Sequence, residues 1–146
     1  MKKTLLAALL GIGSFMTANA SYIYFFNMTN CDFNFNVDGA IGTTGRFAAN
    51  NVIIPPGNTY FFNPSQLPGV VQFGTGSLVS GHGEAIKGYD VGGPYSFVVG
   101  ISPLYPTLPT SYNSASNSYY PACYNNTAYV VSFANNGNGD VVVLIN

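Results

Sequence analysis

The sequence has 146 residues and few charges: four Lys or Arg, five Asp or Glu and one His, so that charged residues make up 6% of it, against about 25% in an ordinary domain. Aromatic residues are abundant, with eleven Tyr and eleven Phe but no Trp. So few bases cannot neutralise a run of phosphates, which supplies most of the affinity of proteins for DNA and RNA. The composition therefore predicts no nucleic-acid partner, and its richness in aromatic residues excludes a disordered chain.

Residues 1–20 have the pattern of a bacterial secretory signal peptide. Two lysines follow the initial Met, residues 4–16 are uncharged and mostly apolar, and Ala18-Asn19-Ala20 is a small-residue cleavage site. The apolar stretch is shorter than the roughly 20 residues that span a bilayer. We therefore expect cleavage after Ala20, no membrane insertion, and a secreted or periplasmic protein that works at the cell exterior. Residues 21–146 are expected to form one domain.

The chain has two cysteines, Cys31 and Cys123. An even number of cysteines in an exported chain favours a disulfide, and these two can form only one intramolecular pair. Closing so long a loop has an entropic value of about 4.6 kcal/mol in the chain-entropy model. The alternative is two separate buried thiols. We expect the disulfide.

The chain after the signal favours short β-strands. From Cys31 to Val37 the odd positions are apolar and alternate with Asp and Asn, the pattern of a strand with one buried and one exposed face. Tyr22–Met28 is apolar on both faces except at Asn27. Asp38-Gly39 predicts a turn, and residues 135–139 predict the turn of a hairpin. Further strands are predicted, in chain order, at 52–54, 59–62, 70–73, 77–80, 84–91, 95–101, 128–134 and 140–145.

About eight or nine short, mostly antiparallel strands without a helical period predict an all-β fold, a single-domain β-sandwich or a jelly-roll-like arrangement, with one disulfide. One segment breaks the pattern. Residues 102–122 include four prolines and show no strand alternation. Loops longer than about 12 to 15 residues in a compact domain are usually functional or disordered, so this long loop is the candidate contact surface.

The sequence offers little catalytic chemistry. His82 and Glu84 would point to the same side of an extended backbone, so that the carboxylate would orient the imidazole as a general base. The alternative, which we favour, is a polar turn between two strands, because no nucleophile is marked beside them. A single His and two paired Cys leave too few ligands for zinc. Three aspartates that would suit calcium lie near turns, Asp38, Asp90 and Asp140, but the sequence lacks the usual D-x-D-x-D-G loop. We predict no catalytic residue, no metal and no cofactor.

The long loop and its exit are rich in Tyr, Asn and Ser. Tyr offers a wide ring at low entropic cost and Asn and Ser offer adaptable hydrogen bonds, as in other loop-based recognition surfaces. Sugars suit such a surface, since their C–H faces stack on rings. The alternative is that the tyrosines only pack the loop onto the sandwich. The predicted ligand-binding residues are Tyr105, Tyr112, Asn113, Asn117, Tyr119, Tyr120 and Tyr124.

Three functions remain open at this point. The first is a secreted, non-catalytic recognition module for adhesion or carbohydrate binding, whose partner is a glycan or another cell-surface ligand. The second is a structural subunit that assembles with copies of itself into a fibre or coat, because Tyr22–Met28 and Val141–Ile145 lack the charges that normally protect sheet edges. These two segments either pair with each other or present edges to another copy. The third is a secreted hydrolase that uses His82 and Glu84.

Overall fold

The computed structural model describes residues 21–146, and the predicted signal peptide lies outside the described residues. Ten strands and four short 3-10 helices make up the described chain. The all-β sandwich predicted from the sequence is confirmed, with ten strands rather than eight or nine. The strands are β1 (Ile23–Asn27), β2 (Phe33–Ile41), β3 (Gly45–Ile54), β4 (Gly57–Phe61), β5 (Val71–Phe73), β6 (His82–Tyr89), β7 (Ser96–Gly100), β8 (Ser111–Asn113), β9 (Val130–Asn135) and β10 (Val141–Ile145).

The strands form two five-stranded sheets. One has the order β4-β1-β10-β9-β8 and the other the order β5-β3-β2-β6-β7. We call the first the uncharged sheet, because none of its strand residues is Asp, Glu, Lys, Arg or His. We call the second the charged sheet, since its strands contain Asp38, Arg46, His82, Glu84 and Lys87. Neighbouring strands are antiparallel, apart from β1 and β10, which run parallel.

The core lies between the two sheets and is built from alternating positions. In β2 the residues Phe33, Phe35 and Val37 are buried while Asn34 is exposed, as the alternation in the sequence predicted. Phe35 stacks on Phe25 of the opposite sheet, with ring centroids 5.7 Å apart. Because each sheet contributes only one face to the core, the outer faces of the two sheets can differ in composition.

A disulfide joins Cys31, between β1 and β2, to Cys123, and the Cα atoms of the pair lie 5.3 Å apart. Cys123 is part of a short 3-10 helix, Ala122–Tyr124, which follows the long loop. The predicted pairing is therefore confirmed, and it ties the end of the loop to the chain that leads into the charged sheet. A disulfide of this kind is consistent with an oxidising compartment. No helix within residues 21–146 is long and apolar enough to cross a bilayer.

Strands β1 and β10 lie side by side inside the uncharged sheet. Ile23 is opposite Val141, and the register continues to Asn27 opposite Ile145. Of the two alternatives for these uncharged segments, pairing with each other is the one observed. The strands at the edges of this sheet are β4 and β8.

The predicted turn at Asp38-Gly39 is wrong. Both residues lie within β2, which continues to Ile41, and the chain reverses at residues 42–44, where Gly42 has a φ of +58°. Gly39 is required for close packing instead, because a Cβ atom there would lie 2.2 Å from the carbonyl oxygen of His82. A glycine beside an aspartate therefore marked a close approach of two strands and not a reversal.

Two other segments differ from expectation. Residues 77–80 form no strand, because Leu78–Ser80 is a 3-10 turn in which the Ser80 hydroxyl donates to the Ser77 carbonyl, 2.9 Å away. Strand β3 begins at Gly45, seven residues before the predicted 52–54 segment. Asn51 has a φ of +58° and forms part of a bulge that shifts the alternation of buried residues, which concealed the first half of the strand.

The long loop is ordered into short elements. Ser111–Asn113 is the edge strand β8, and Ser114–Asn117 is a 3-10 helix capped by the Asn113 side chain. The first part, residues 102–110, contains no strand and lies against the outer face of the charged sheet.

Candidate functional site

An open groove lies between the first part of the long loop and the outer face of the charged sheet. It has a volume of about 390 Å³, within the range of small-ligand sites, about 300 to 1,000 Å³. The sheet supplies its floor and the loop one wall. The groove is lined by Asp38, Arg46, Glu84, Ala85, Val98, Ser102, Tyr105 and Leu108.

The pairing of β2 with β3 brings opposite charges together on the floor. Arg46 is directly opposite Ala40, and Asp38 is two residues before Ala40 on the same face of β2. Burial raises the pKa of the Asp38 carboxyl above its ordinary value, and the positive charge of Arg46 partly opposes that rise. The strand register therefore places the Asp38 carboxyl near the Arg46 guanidinium in the floor of the groove.

A buried carboxylate fixes this arrangement. Glu84 is almost fully buried, and its Oε2 accepts from Arg46 Nη1 at 2.9 Å and from the Ser102 hydroxyl at 2.8 Å. Arg46 is on β3, Glu84 on β6 and Ser102 at the start of the loop. Glu84 thus holds the guanidinium in the floor and attaches the loop to the sheet, because charge-assisted hydrogen bonds to a buried acceptor are strong.

The predicted proximity of His82 and Glu84 is observed, but without a turn: His82 is the first residue of β6, and its Nε2 lies 3.6 Å from Glu84 Oε1. The nearby Ser102 hydroxyl donates to Glu84 rather than to His82. The carboxylate therefore lies between the imidazole and the hydroxyl. In a catalytic pair of nucleophile and base, by contrast, the hydroxyl donates directly to the base.

Of the predicted ligand-binding residues, Tyr105 lines the groove and is 61% exposed. Tyr112, Asn117 and Tyr119 gather instead in the second part of the loop. The Tyr112 hydroxyl donates to Asp90 at 3.0 Å and accepts from Asn117 Nδ2 at 2.8 Å. The Tyr119 hydroxyl donates to the carbonyl of Val91.

Asp90 is the centre of this second cluster. It is 2% exposed, and it also accepts a hydrogen bond from the hydroxyl of the buried Tyr129. Burial, together with the hydrogen bond to Asp90, raises the pKa of Tyr129 far above the ordinary value of 10.0. Burial likewise raises the pKa of Tyr112, whose ring stacks on Phe97 with centroids 4.2 Å apart. The Asp90 cluster fastens the loop to both sheets.

The sequence did not predict Asp90 and Tyr129 as partners. They are separated by 39 positions in the chain, and each is an ordinary residue type at a strand end. The one signal in the sequence was that Tyr129 continues the apolar alternation of β9.

The remaining predicted residues lie apart from the groove. Asn113 accepts from the backbone N–H of Ala115 and caps the 3-10 helix. Tyr124 packs against the core beside the disulfide, whereas Tyr120 is 49% exposed. The structure therefore brings Tyr105 alone of this set to the groove, and ligand binding by any of them stays a prediction.

The three aspartates considered for calcium have separate surroundings. Asp38 faces Arg46, Asp90 is enclosed by tyrosines, and Asp140 accepts from the backbone N–H of Tyr22 at 2.9 Å. Within residues 21–146 no three His, Cys, Asp or Glu side chains form a group that could hold a metal ion.

Comparison with known proteins gives this chain no relative: no family model matches it, and no curated protein or solved structure matches it either.

Proposed function

We propose that this protein is a secreted, non-catalytic recognition module that binds a neutral glycan in the groove between the long loop and the charged sheet. The observation that carries the proposal is the combination of Asp38, Arg46 and an exposed Tyr105 around one open groove of ligand size.

The polar groups of the floor suit hydroxyl-rich ligands. A carboxylate accepts hydrogen bonds from sugar hydroxyls, and a guanidinium donates to hydroxyl and ring oxygens in a fixed planar geometry. Arg46 is already paired with Glu84 at 2.9 Å, and Asp38 adds a second carboxylate to the lining, so that the floor offers no unpaired cation to an anionic ligand. A neutral glycan therefore fits the floor better than a strongly anionic ligand does.

The wall supports the same ligand class. Tyr105 is held on a loop that Ser102 fastens to Glu84, and most of its side chain is open to solvent. An aromatic ring on an anchored loop offers a flat apolar face at small entropic cost. Stacking of a sugar C–H face on this ring, above the polar floor, would fix the orientation of the ligand.

The expected location follows from the signal pattern and the disulfide. A leader of this kind directs export, and the Cys31–Cys123 disulfide is suited to an oxidising environment. A module with these properties works in the periplasm or outside the cell, where glycans are abundant ligands.

A glycan array with the exported protein tests the proposal. We expect Tyr105→Ala and Asp38→Asn each to weaken binding about tenfold or more, as removal of a central contact does. Tyr120→Ala is the matched control, because it removes a tyrosine of similar exposure outside the groove. Tyr112 and Tyr119 are unsuited as controls, since their hydroxyls hold the loop.

The outcome is informative in both directions. Full binding by the Tyr105→Ala and Asp38→Asn variants contradicts the proposal, as does loss of binding in Tyr120→Ala alone. Each variant should unfold thermally at the same midpoint as the wild type, which shows that a loss of binding is not a loss of fold.

A further inference from the structure

The uncharged sheet has one edge that nothing protects among the described residues. Strand β4 pairs with β1 on one side only, and its five residues, GNTYF, contain no charge and no proline. Phe61 points inward against Phe25 yet is only half-buried, because no strand lies beyond it. Free edges expose unpaired N–H and C=O groups, which are a template for another strand.

The other three edges are better protected. Strands β5 and β8 are three residues long. Strand β5 covers only Arg46–Ala48 of β3, and the rest of β3 contains the bulge at Asn51, a feature that turns an edge away from a partner strand. At the end of β7 the Gly100 N–H donates to the Pro109 carbonyl at 3.0 Å, so that the long loop covers part of that edge. Strand β4 is therefore the place where this sandwich is open to strand addition.

An aromatic stripe adjoins the same edge on the outer face. It consists of Tyr22, Tyr24, Phe26, Tyr60 and Phe62, whose neighbouring ring centroids lie 5.2 to 6.4 Å apart. Phe26, Tyr60 and Phe62 are between 36% and 55% exposed. The rings contact one another but no charged side chain lies among the strand residues of this sheet.

We propose that β4 pairs with β4 of a second copy of this chain, antiparallel and about a two-fold axis at Thr59. This inference goes beyond glycan binding, because it uses the other sheet. The register follows from the symmetry: Asn58 of one copy would lie opposite Tyr60 of the other on the outer face, and Gly57 opposite Phe61 on the inner face.

The side chains at this register are complementary in size. The smaller residue of each pair meets an aromatic one. Gly57 has a φ of +98°, and a Cβ atom there would contact nothing within 4 Å, which leaves space for the ring of the partner copy. A strand that pairs with its own copy also satisfies the closed symmetry of most dimers.

The absence of charge on β4 favours a second copy over a charged partner. Neither strand carries a charge, so that pairing two identical edges desolvates no ion and sets no like charges against each other. An anionic or cationic partner would find no counter-charge on this edge. Pairing would also place the aromatic stripes of the two copies side by side as one continuous apolar surface.

The area available indicates a weak dimer. Pairing joins the two sheets only along β4, an edge five residues or roughly 17 Å long, so that the buried area is well below the 800 Å² or so per partner of a standard interface. We therefore expect association that depends on concentration between about 1 μM and 1 mM.

Sedimentation equilibrium of the exported protein tests the pairing and its register. The wild type should approach twice the monomer mass at the top of the concentration range. In the double variant Asn58→Lys/Tyr60→Lys, each new lysine would lie opposite a lysine of the partner copy. We expect dissociation to be at least about tenfold easier, since like charges in contact oppose association strongly.

A charge reversal provides the decisive arm. The variant Asn58→Glu/Tyr60→Glu should also be monomeric, while an equimolar mixture of the Lys and Glu variants should form heterodimers, because the proposed register sets each lysine opposite a glutamate. Ala134→Lys is the matched control. It lies on the same outer face in the row of Tyr24 and Tyr60, three strands from the edge.

Each alternative has a distinct result. A wild-type protein that is monomeric throughout, or a mixture that stays monomeric, overturns the proposal. Dissociation by Ala134→Lys indicates packing through the sheet faces and also overturns edge pairing. The glycan array is independent of these results, because the groove lies on the other sheet.

Discussion

The two sheets of this sandwich share one core and present opposite surfaces. The charged sheet carries Asp38, Arg46, His82, Glu84 and Lys87, and a loop covers part of its outer face. The uncharged sheet exposes aromatic rings and an unprotected edge. Alternation makes this separation available, because every second residue of a strand is free of the core. One fold thus offers a site with directional polar contacts and a separate apolar surface.

The groove depends on a buried ion pair, which the uncharged sheet does without. In the strands of the uncharged sheet the buried polar residue is Asn27. Its Nδ2 donates to the carbonyl of Cys31 at 2.7 Å, and its Oδ1 accepts from the Thr29 hydroxyl at 2.7 Å. A neutral amide that is fully hydrogen-bonded costs far less to bury than a charge. The amide of Asn27 does not titrate, so that this buried polar group is insensitive to pH.

The largest effect is expected for the disulfide, which ties the end of the long loop to the chain between β1 and β2. Replacing both Cys31 and Cys123 by Ser removes the disulfide and should lower the free energy of unfolding by about 2 to 5 kcal/mol. Denaturant unfolding of the protein, with and without reductant, measures the loss. Wild-type stability of the double variant in oxidising buffer would contradict a stabilising role for the disulfide.

An intermediate effect on stability is expected at the Asp90 cluster, which fastens the long loop to both sheets. Tyr129→Phe removes the hydroxyl that donates to the buried Asp90 and should cost about 1 to 3 kcal/mol. Tyr120→Phe is the control, because that side chain is half exposed, and its change should be close to zero.

The same variant should alter the response to alkali. The pKa of Tyr129 is raised in the folded state above the ordinary value of 10.0, so that its contribution is complete below pH 10 and is lost as the pH rises further. We expect wild-type stability to fall between about pH 9 and pH 11 more steeply than that of Tyr129→Phe. Parallel curves would show that Tyr129 ionises normally.

The smallest effect, with the opposite sign, is expected for Asp38→Asn. Burial raises the pKa of Asp38 above 3.8, so that the folded state binds a proton more tightly than the unfolded chain does. Stability is lost as the pH rises through the folded pKa. The variant should therefore equal the wild type below pH 3.8 and be slightly more stable at neutral pH. A wild type that is more stable than the variant at pH 7 would contradict this sign.

The sequence predicts the part of the fold that depends on local alternation. The apolar odd positions from Cys31 to Val37 and the hairpin around residues 135–139 follow from residue types along one strand or turn. The first half of β3 does not, because Asn51 adopts a positive φ and the bulge breaks the period of two. Gly39 misleads for a related reason, since close packing and chain reversal both select glycine.

The candidate site was predicted only in part, because it depends on pairing between distant strands. Tyr105 was identified from the composition of the loop. Asp38 and Arg46 become neighbours through the register of β2 with β3, which residue types alone do not specify. Composition also cannot distinguish Tyr105, which faces the groove, from Tyr112, whose hydroxyl is used by Asp90.

The parallel pairing of β1 with β10 has a consequence for biogenesis. Ile23 and Val141 are adjacent in space but 118 positions apart in the chain, and β10 lies between β1 and β9. The uncharged sheet therefore stays incomplete until residues 141–145 have emerged during synthesis. Contacts between such distant residues slow folding, and until β10 is in place β1 has only β4 as a neighbour. We therefore expect the sheet to be completed last at its centre, when β10 enters between β1 and β9.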